Sequence, residues 1–160
     1  MTDMLKATAL LATLSLTALP ALAQDTDSLE AAWLADPTRV FNAQEVDLDA
    51  LQWIARPLVV FANSPRDPAF IQQMEEIAGE FDQLVERDVI VIVDTDPAGD
   101  SALRERLRPR GFMLTLIGKD GQVKLRKPLP WSVREISRSI DKMPMRQREQ
   151  AEGRDGRIDG

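Results

Sequence analysis

Residues 56–142 predict an α/β sandwich in three layers, with a central mixed sheet of four strands and helices on both faces. Three observations carry this. Apolar runs at 57–62 and 89–93 are short and unbroken, as in strands buried on both faces, and 112–117 reads as a third strand. Helical periodicity separates these runs, so the first two strands are joined by a crossover and lie parallel. Lys119-Asp120-Gly121 then follows the third run as a hairpin turn, which adds an antiparallel strand.

Each element has its own signal. Residues 24–45 form a lead-in, in which Ser28 caps a short helix through Leu34. Leu48, Leu51 and Ile54 repeat at helical spacing before the first strand. Asp67 is an N-cap with Pro68 in the first helical turn, and Phe70, Ile71, Met74, Ile77, Ala78, Phe81, Leu84 and Val85 extend one apolar face. Ser101 caps a second helix with Leu103 and Leu107 inward, stopped by Pro109 and Gly111. Val123 and Leu125 alternate with Lys124 and Arg126, as in a strand with one wet face. Val133, Ile136 and Ile140 mark a final helix. The domain is expected over 46–144, and the polar tail at 145–160 is expected to lack fixed structure.

Composition closes several chemistries. The chain has 160 residues, a length that predicts one domain, with no histidine and no cysteine. A Ser-His-Asp triad, an imidazole base, a thiol nucleophile and a thiolate metal site are all excluded. Residues 1–23 read as a cleavable signal peptide. Lys6 precedes an uncharged run from Ala7 to Leu19, and Ala21-Leu22-Ala23 ends it, placing the cut between Ala23 and Gln24. With no cysteine after the cut there is no lipid anchor, and export points to the periplasm.

Charge is uneven. Residues 24–99 carry 4 basic and 16 acidic side chains, a net of −12, whereas residues 100–142 carry 11 basic and 5 acidic, a net of +6. The plain account is a solvated surface whose two halves face each other. The sharper one is an anion site, self-association or a polar partner. An acidic exported chain without a basic, aromatic-studded strand face is not a nucleic-acid binder.

The order of elements over 56–142 resembles the thioredoxin fold, and Arg110-Gly111-Phe112 followed by Lys119-Asp120-Gly121 looks like that fold's segment from the cis-proline to the hairpin. Counting from Phe61, the Cys-x-x-Cys of thioredoxins falls on Arg66, Asp67, Pro68 and Ala69, and the cis-proline on Met113. Only Pro68 survives. Arg56-Pro57-Leu58-Val59-Val60-Phe61-Ala62, Leu107-Arg108-Pro109-Arg110-Gly111-Phe112, Gly118-Lys119-Asp120-Gly121 and Ser139-Ile140-Asp141-Lys142-Met143-Pro144 resemble a bacterial domain family of unknown function over about 46–148. That family is similar to domains of the vertebrate sushi-repeat matrix proteins called DUDES and is thioredoxin-like, nearest the peroxiredoxins. The resemblance implies no activity, and any peroxidase chemistry would need a cysteine.

Candidate site residues lie where this fold carries its chemistry. The loop with Asn63, Ser64, Arg66 and Asp67 precedes a helix N-terminus, whose free N–H groups favour anions. Arg108 and Arg110 flank Pro109 on the loop that lies beside that helix in the fold, next to Met113. Together with Arg66 they suit a phosphate, sulfate or carboxylate. Pairing of the neighbouring arginines with Asp94, Asp96 or Glu105 is the alternative. Asp94, Asp96 and Asp100 share a loop without an EF-hand pattern, so no metal ligand and no cofactor is assigned. Trp53 and Trp131 read as core or lid aromatics. The resulting expectation is a redox-inactive periplasmic binding module for a protein partner or a small anion. A cysteine-independent enzyme and a structural envelope protein are the two other classes.

Overall fold

The computed structural model describes residues 28–155. Helix α1 (Leu29–Ala35) is capped by Ser28, whose Oγ accepts from the Ala31 N–H at 3.1 Å. Strand β1 (Val40–Asn42) follows, then two 3-10 turns at Ala43–Glu45 and Asp49–Leu51. Strand β2 (Arg56–Phe61) is buried along its whole length. Helices α2 (Pro68–Gly79) and α3 (Phe81–Val85) lead to β3 (Val89–Asp94). Helix α4 (Ala102–Leu107) precedes the hairpin of β4 (Met113–Ile117) and β5 (Val123–Lys127). The chain closes with α5 (Val133–Asp141) and α6 (Pro144–Asp155).

The sheet order is β1-β3-β2-β4-β5. Strands β1, β3 and β2 run parallel, and β4 and β5 are antiparallel to their neighbours. Side chains of the central strands alternate between two cores, as a period of two requires. Val59, Phe61, Ile90 and Ile92 pack with Trp33, Phe41, Leu103 and Leu107 on one face. Leu58, Val60, Val89 and Val91 pack with Ile77, Leu84, Ile136 and Ile140 on the other. These are the three layers.

Four expectations need correction. The sheet has five strands, because the lead-in supplies β1, where Phe41 alone points inward. Three residues with one buried position are too few to show a period. The long amphipathic stretch is two helices, broken at Glu80, whose φ of −134° and ψ of 32° leave the helical region. Residues 145–155, within the tail expected to lack fixed structure, belong to α6. This helix is almost wholly polar and is held by charge, so an apolar stripe could not reveal it. Trp53 is 62% exposed and is neither core nor lid. The signal segment 1–23 lies outside the described residues.

The hairpin turn conforms. Gly121 has φ +77° and donates its N–H to Gly118 O at 2.9 Å, a backbone shape that favours glycine. A Cβ at Gly118 would lie 2.5 Å from both Asp120 Oδ1 and Lys124 Cε, so a side chain there would make these two side chains move aside.

Candidate functional site

The edge of interest is where β2 and β3 end and β4 begins. Met113 pairs with Phe61 across the sheet, so the loops at 62–67 and 108–112 leave from adjacent strands. The first loop satisfies itself. Asp67 Oδ1 accepts from the Ala69 N–H at 2.9 Å, and Ser64 Oγ accepts from the Arg66 N–H at 3.1 Å. Asp67 therefore occupies an N–H that an anion would use, and its charge opposes one. Asn63 and Arg66 are exposed, while Ser64 and Asp67 are half-buried.

Behind this loop sits Arg104. Its Nε donates to Asp94 Oδ1 at 2.8 Å, and its Nη2 donates to Ala62 O at 2.7 Å and Asp94 O at 3.0 Å. Ser101 Oγ donates to the other Asp94 oxygen while capping α4 through the Arg104 N–H. The Arg104 and Asp94 side chains are 10% and 4% exposed. The group ties the ends of β2 and β3 to α4 and leaves neither charge free. Asp96 is likewise committed, accepting from the Ala98 N–H at 3.1 Å. Among the described residues no three carboxylates converge as a metal site would need.

The other loop differs. Arg108 ends α4 in the left-handed region, φ 48°, with its N–H on Arg104 O at 2.8 Å. Arg108 and Arg110 then line an open depression of about 270 Å³ together with Phe112, Met113, Arg126, Lys127 and Pro128. Arg126 Nη1 donates to Leu107 O at 2.5 Å and lies 4.0 Å from Met113 Sδ, which anchors the guanidinium across the mouth. Lys127 Nζ stands 4.2 Å from the centre of the Trp131 ring. Four cations thus line the depression and no carboxylate does. None of the four has an ion-pair partner among the described residues.

Of the seven residues singled out in the sequence, the structure brings Arg108, Arg110 and Met113 together. Asn63, Ser64, Arg66 and Asp67 do not line that depression. Arg104 and Arg106 leave the arginine group for internal partners, Asp94 and Asp49. Sequence reasoning missed Arg126 and Lys127 as site residues. Their alternation on a wet-faced strand was visible, but only the pairing of β5 with β4 sets them beside Met113.

A second charged group lies at the opposite end of the sheet. Arg56, 1% exposed, donates to Arg87 O at 2.8 Å and to Glu149 Oε1 at 2.9 Å. Lys119 Nζ reaches Asp88 Oδ2 at 2.7 Å and the same Glu149 oxygen at 3.0 Å. Burial pushes the Glu149 carboxyl up, but its hydrogen bonds with Arg56 and Lys119 and their charges outweigh this and hold it below its usual range. This group fastens α6 to the domain.

Similarity to known proteins agrees with the architecture. The described fold is similar to that of reduced 2-Cys peroxiredoxin from Plasmodium vivax, with a TM-score of 0.51 and 15% identity over 66% of this chain and 85% of that one. It is also similar to Plasmodium yoelii Prx1a modified at its N-terminus, with a TM-score of 0.50 and 17% identity over 64% and 81% of the two chains. These likenesses establish a thioredoxin-like fold. This chain carries that fold without a cysteine, so thiol chemistry is closed to it. No curated protein matches the sequence. Residues 47–149 match the model of a domain of unknown function, DUF4174, and the chain therefore belongs to that family.

Proposed function

We propose that this protein is an exported, redox-inactive binding module that holds an anionic ligand at the edge where a thioredoxin fold carries its chemistry. One observation supports the reading most: Arg108, Arg110, Arg126 and Lys127 converge beside Met113 with no carboxylate among them. Like charges so gathered repel one another, and an anion relieves that repulsion. Guanidinium groups also bind carboxylate or phosphate oxygens in pairs. The N-terminal pattern ending at Ala23 supports delivery to the periplasm.

The test is calorimetric titration of the full chain with inorganic phosphate and with succinate at low ionic strength. Saturable binding is expected, weakened at least about tenfold by Arg108→Ala/Arg110→Ala, since a charge-assisted hydrogen bond contributes about 1.5–3 kcal/mol. Added salt should weaken it further. Absence of binding by either anion, or equal binding by the double variant, removes the reading.

A further inference from the structure

Strand β5 is the outer strand of the sheet, and its one partner among the described residues is β4. The backbone groups on its far side are therefore without a ladder, which is a template for another extended chain. Cations continue along this strand. A second depression, of about 480 Å³, is lined by Lys124, Lys127, Lys142 and Trp131, and no carboxylate lines it. Lys127 belongs to both depressions; Lys124 is paired with Asp120 at 2.5 Å, so the unpaired cations of this surface among the described residues are Arg126, Lys127 and Lys142. The segment after β5 is held in place, because the buried Gln73 side chain donates to Trp131 O at 2.9 Å and accepts from the Trp131 N–H at 2.8 Å. Exposed Val123 and Leu129 add apolar contact beside the charges.

We propose that β5 docks an extended acidic segment of a partner polypeptide, which joins the sheet as a sixth strand. The proposal rests on the anion-binding reading above and names the ligand class. Charge complementarity selects the occupant. A second copy pairing through β5 would set Arg126 and Lys127 against their own kind, and like charges across a strand pair destabilise it. An acidic strand reverses that sign. A lone small anion meets only part of the cationic surface, whereas carboxylates on successive residues of an added strand meet Arg126 on one face and Lys127 on the other while the backbone completes the ladder.

The experiment compares four probes on the full chain by calorimetry at low ionic strength. These are an eight-residue peptide repeating Glu-Glu-Val-Val, which puts carboxylates on both faces of a strand, its twin N-methylated at every backbone nitrogen, an oligothymidine, and inorganic phosphate. Expected results are that the plain peptide binds at least tenfold more tightly than its twin, and that it slows amide exchange at 123–127. Arg126→Ala/Lys127→Ala should weaken peptide and phosphate alike. Equal affinity of the two peptides, equal affinity of the oligothymidine, or phosphate binding without peptide binding overturns strand addition and leaves the anion-binding reading standing. If neither phosphate nor peptide binds, both fall.

Discussion

Two cationic regions lie at opposite ends of this sheet, and they use their charges in opposite ways. Around Arg56 and Lys119 each cation has a carboxylate from another element, Asp88 before β3 or Glu149 on α6. Around Met113, Arg108, Arg110, Arg126 and Lys127 have none among the described residues. The first group is structural because its charges are matched and its Arg56 guanidinium is buried. The second is available because its charges are unmatched and wet. Arg104 sharpens the contrast. It lies in the same stretch as Arg108 and Arg110, yet burial against Asp94 makes it a structural residue. Position in the sequence therefore does not decide the role of an arginine here; the presence of an internal carboxylate does.

The largest expected effects break the matched group. Arg56→Met leaves Glu149 and Asp88 without their guanidinium, and Arg104→Met strands the buried Asp94 carboxylate. Removing one partner of a buried ion pair destabilises by about 3–5 kcal/mol. Urea unfolding should show a loss of that size for Arg104→Met, a large share of the ~5–15 kcal/mol that holds a typical domain, and a smaller one for Arg56→Met, whose carboxylates are partly wet and keep Lys119. A loss below about 1 kcal/mol at Arg104 would mean that water reaches Asp94, and the division into matched and unmatched cations would fail there.

How much of this could be read from the sequence follows from the same distinction. Strands β2, β3 and β4 were legible because apolar runs report burial directly, and the caps at Ser28, Asp67 and Ser101 were legible because capping is local. Strand β1 was not, since it is defined by pairing with β3, about fifty residues away in the chain. Helix α6 was not, because Glu149 finds Arg56 only after folding, 93 residues apart in sequence. The arginine-rich stretch before β4 was visible as a candidate site. Its division into paired Arg104 and Arg106 and unpaired Arg108 and Arg110 depended on Asp94 and Asp49, which no spacing rule connects.

The fastening of α6 gives an intermediate effect with a defined pH dependence. Glu149 has its pKa lowered in the folded state by Arg56 and Lys119, against the pull of burial. A depressed carboxyl stabilises the fold above its unfolded pKa, and that contribution is lost as pH falls through the lowered folded value. A free glutamate carboxyl titrates at about 4.5, so α6 should stay docked at neutral pH and loosen only in acid below that value. Glu149→Gln should loosen it at every pH, costing about 1–3 kcal/mol for the buried donors left underserved. Amide exchange along 144–155, followed against pH, reads both. Retention of slow exchange in the Gln variant would show that the Glu149 charge does not hold the helix.

The smallest effect on stability is expected where the largest effect on binding is. Arg108→Ala/Arg110→Ala removes two side chains with no internal partner, and surface changes of this kind stay within about 0.5 kcal/mol. The sign should lean toward stabilisation at low salt, because two like charges leave a group of four. Adding salt should erase the difference between variant and parent, since screening removes the same repulsion. Arg108 complicates the expectation, as its backbone sits at φ 48°. Arg108→Gly should therefore be more stable than Arg108→Ala, by about 1 kcal/mol, because glycine adopts that conformation without penalty. Arg110 has no positive φ, so the same pair of substitutions there should reverse in order. If the double alanine variant instead lost several kcal/mol in urea unfolding, these arginines would have internal partners after all. The edge beside Met113 would then be a second fastening of the fold and not a binding surface.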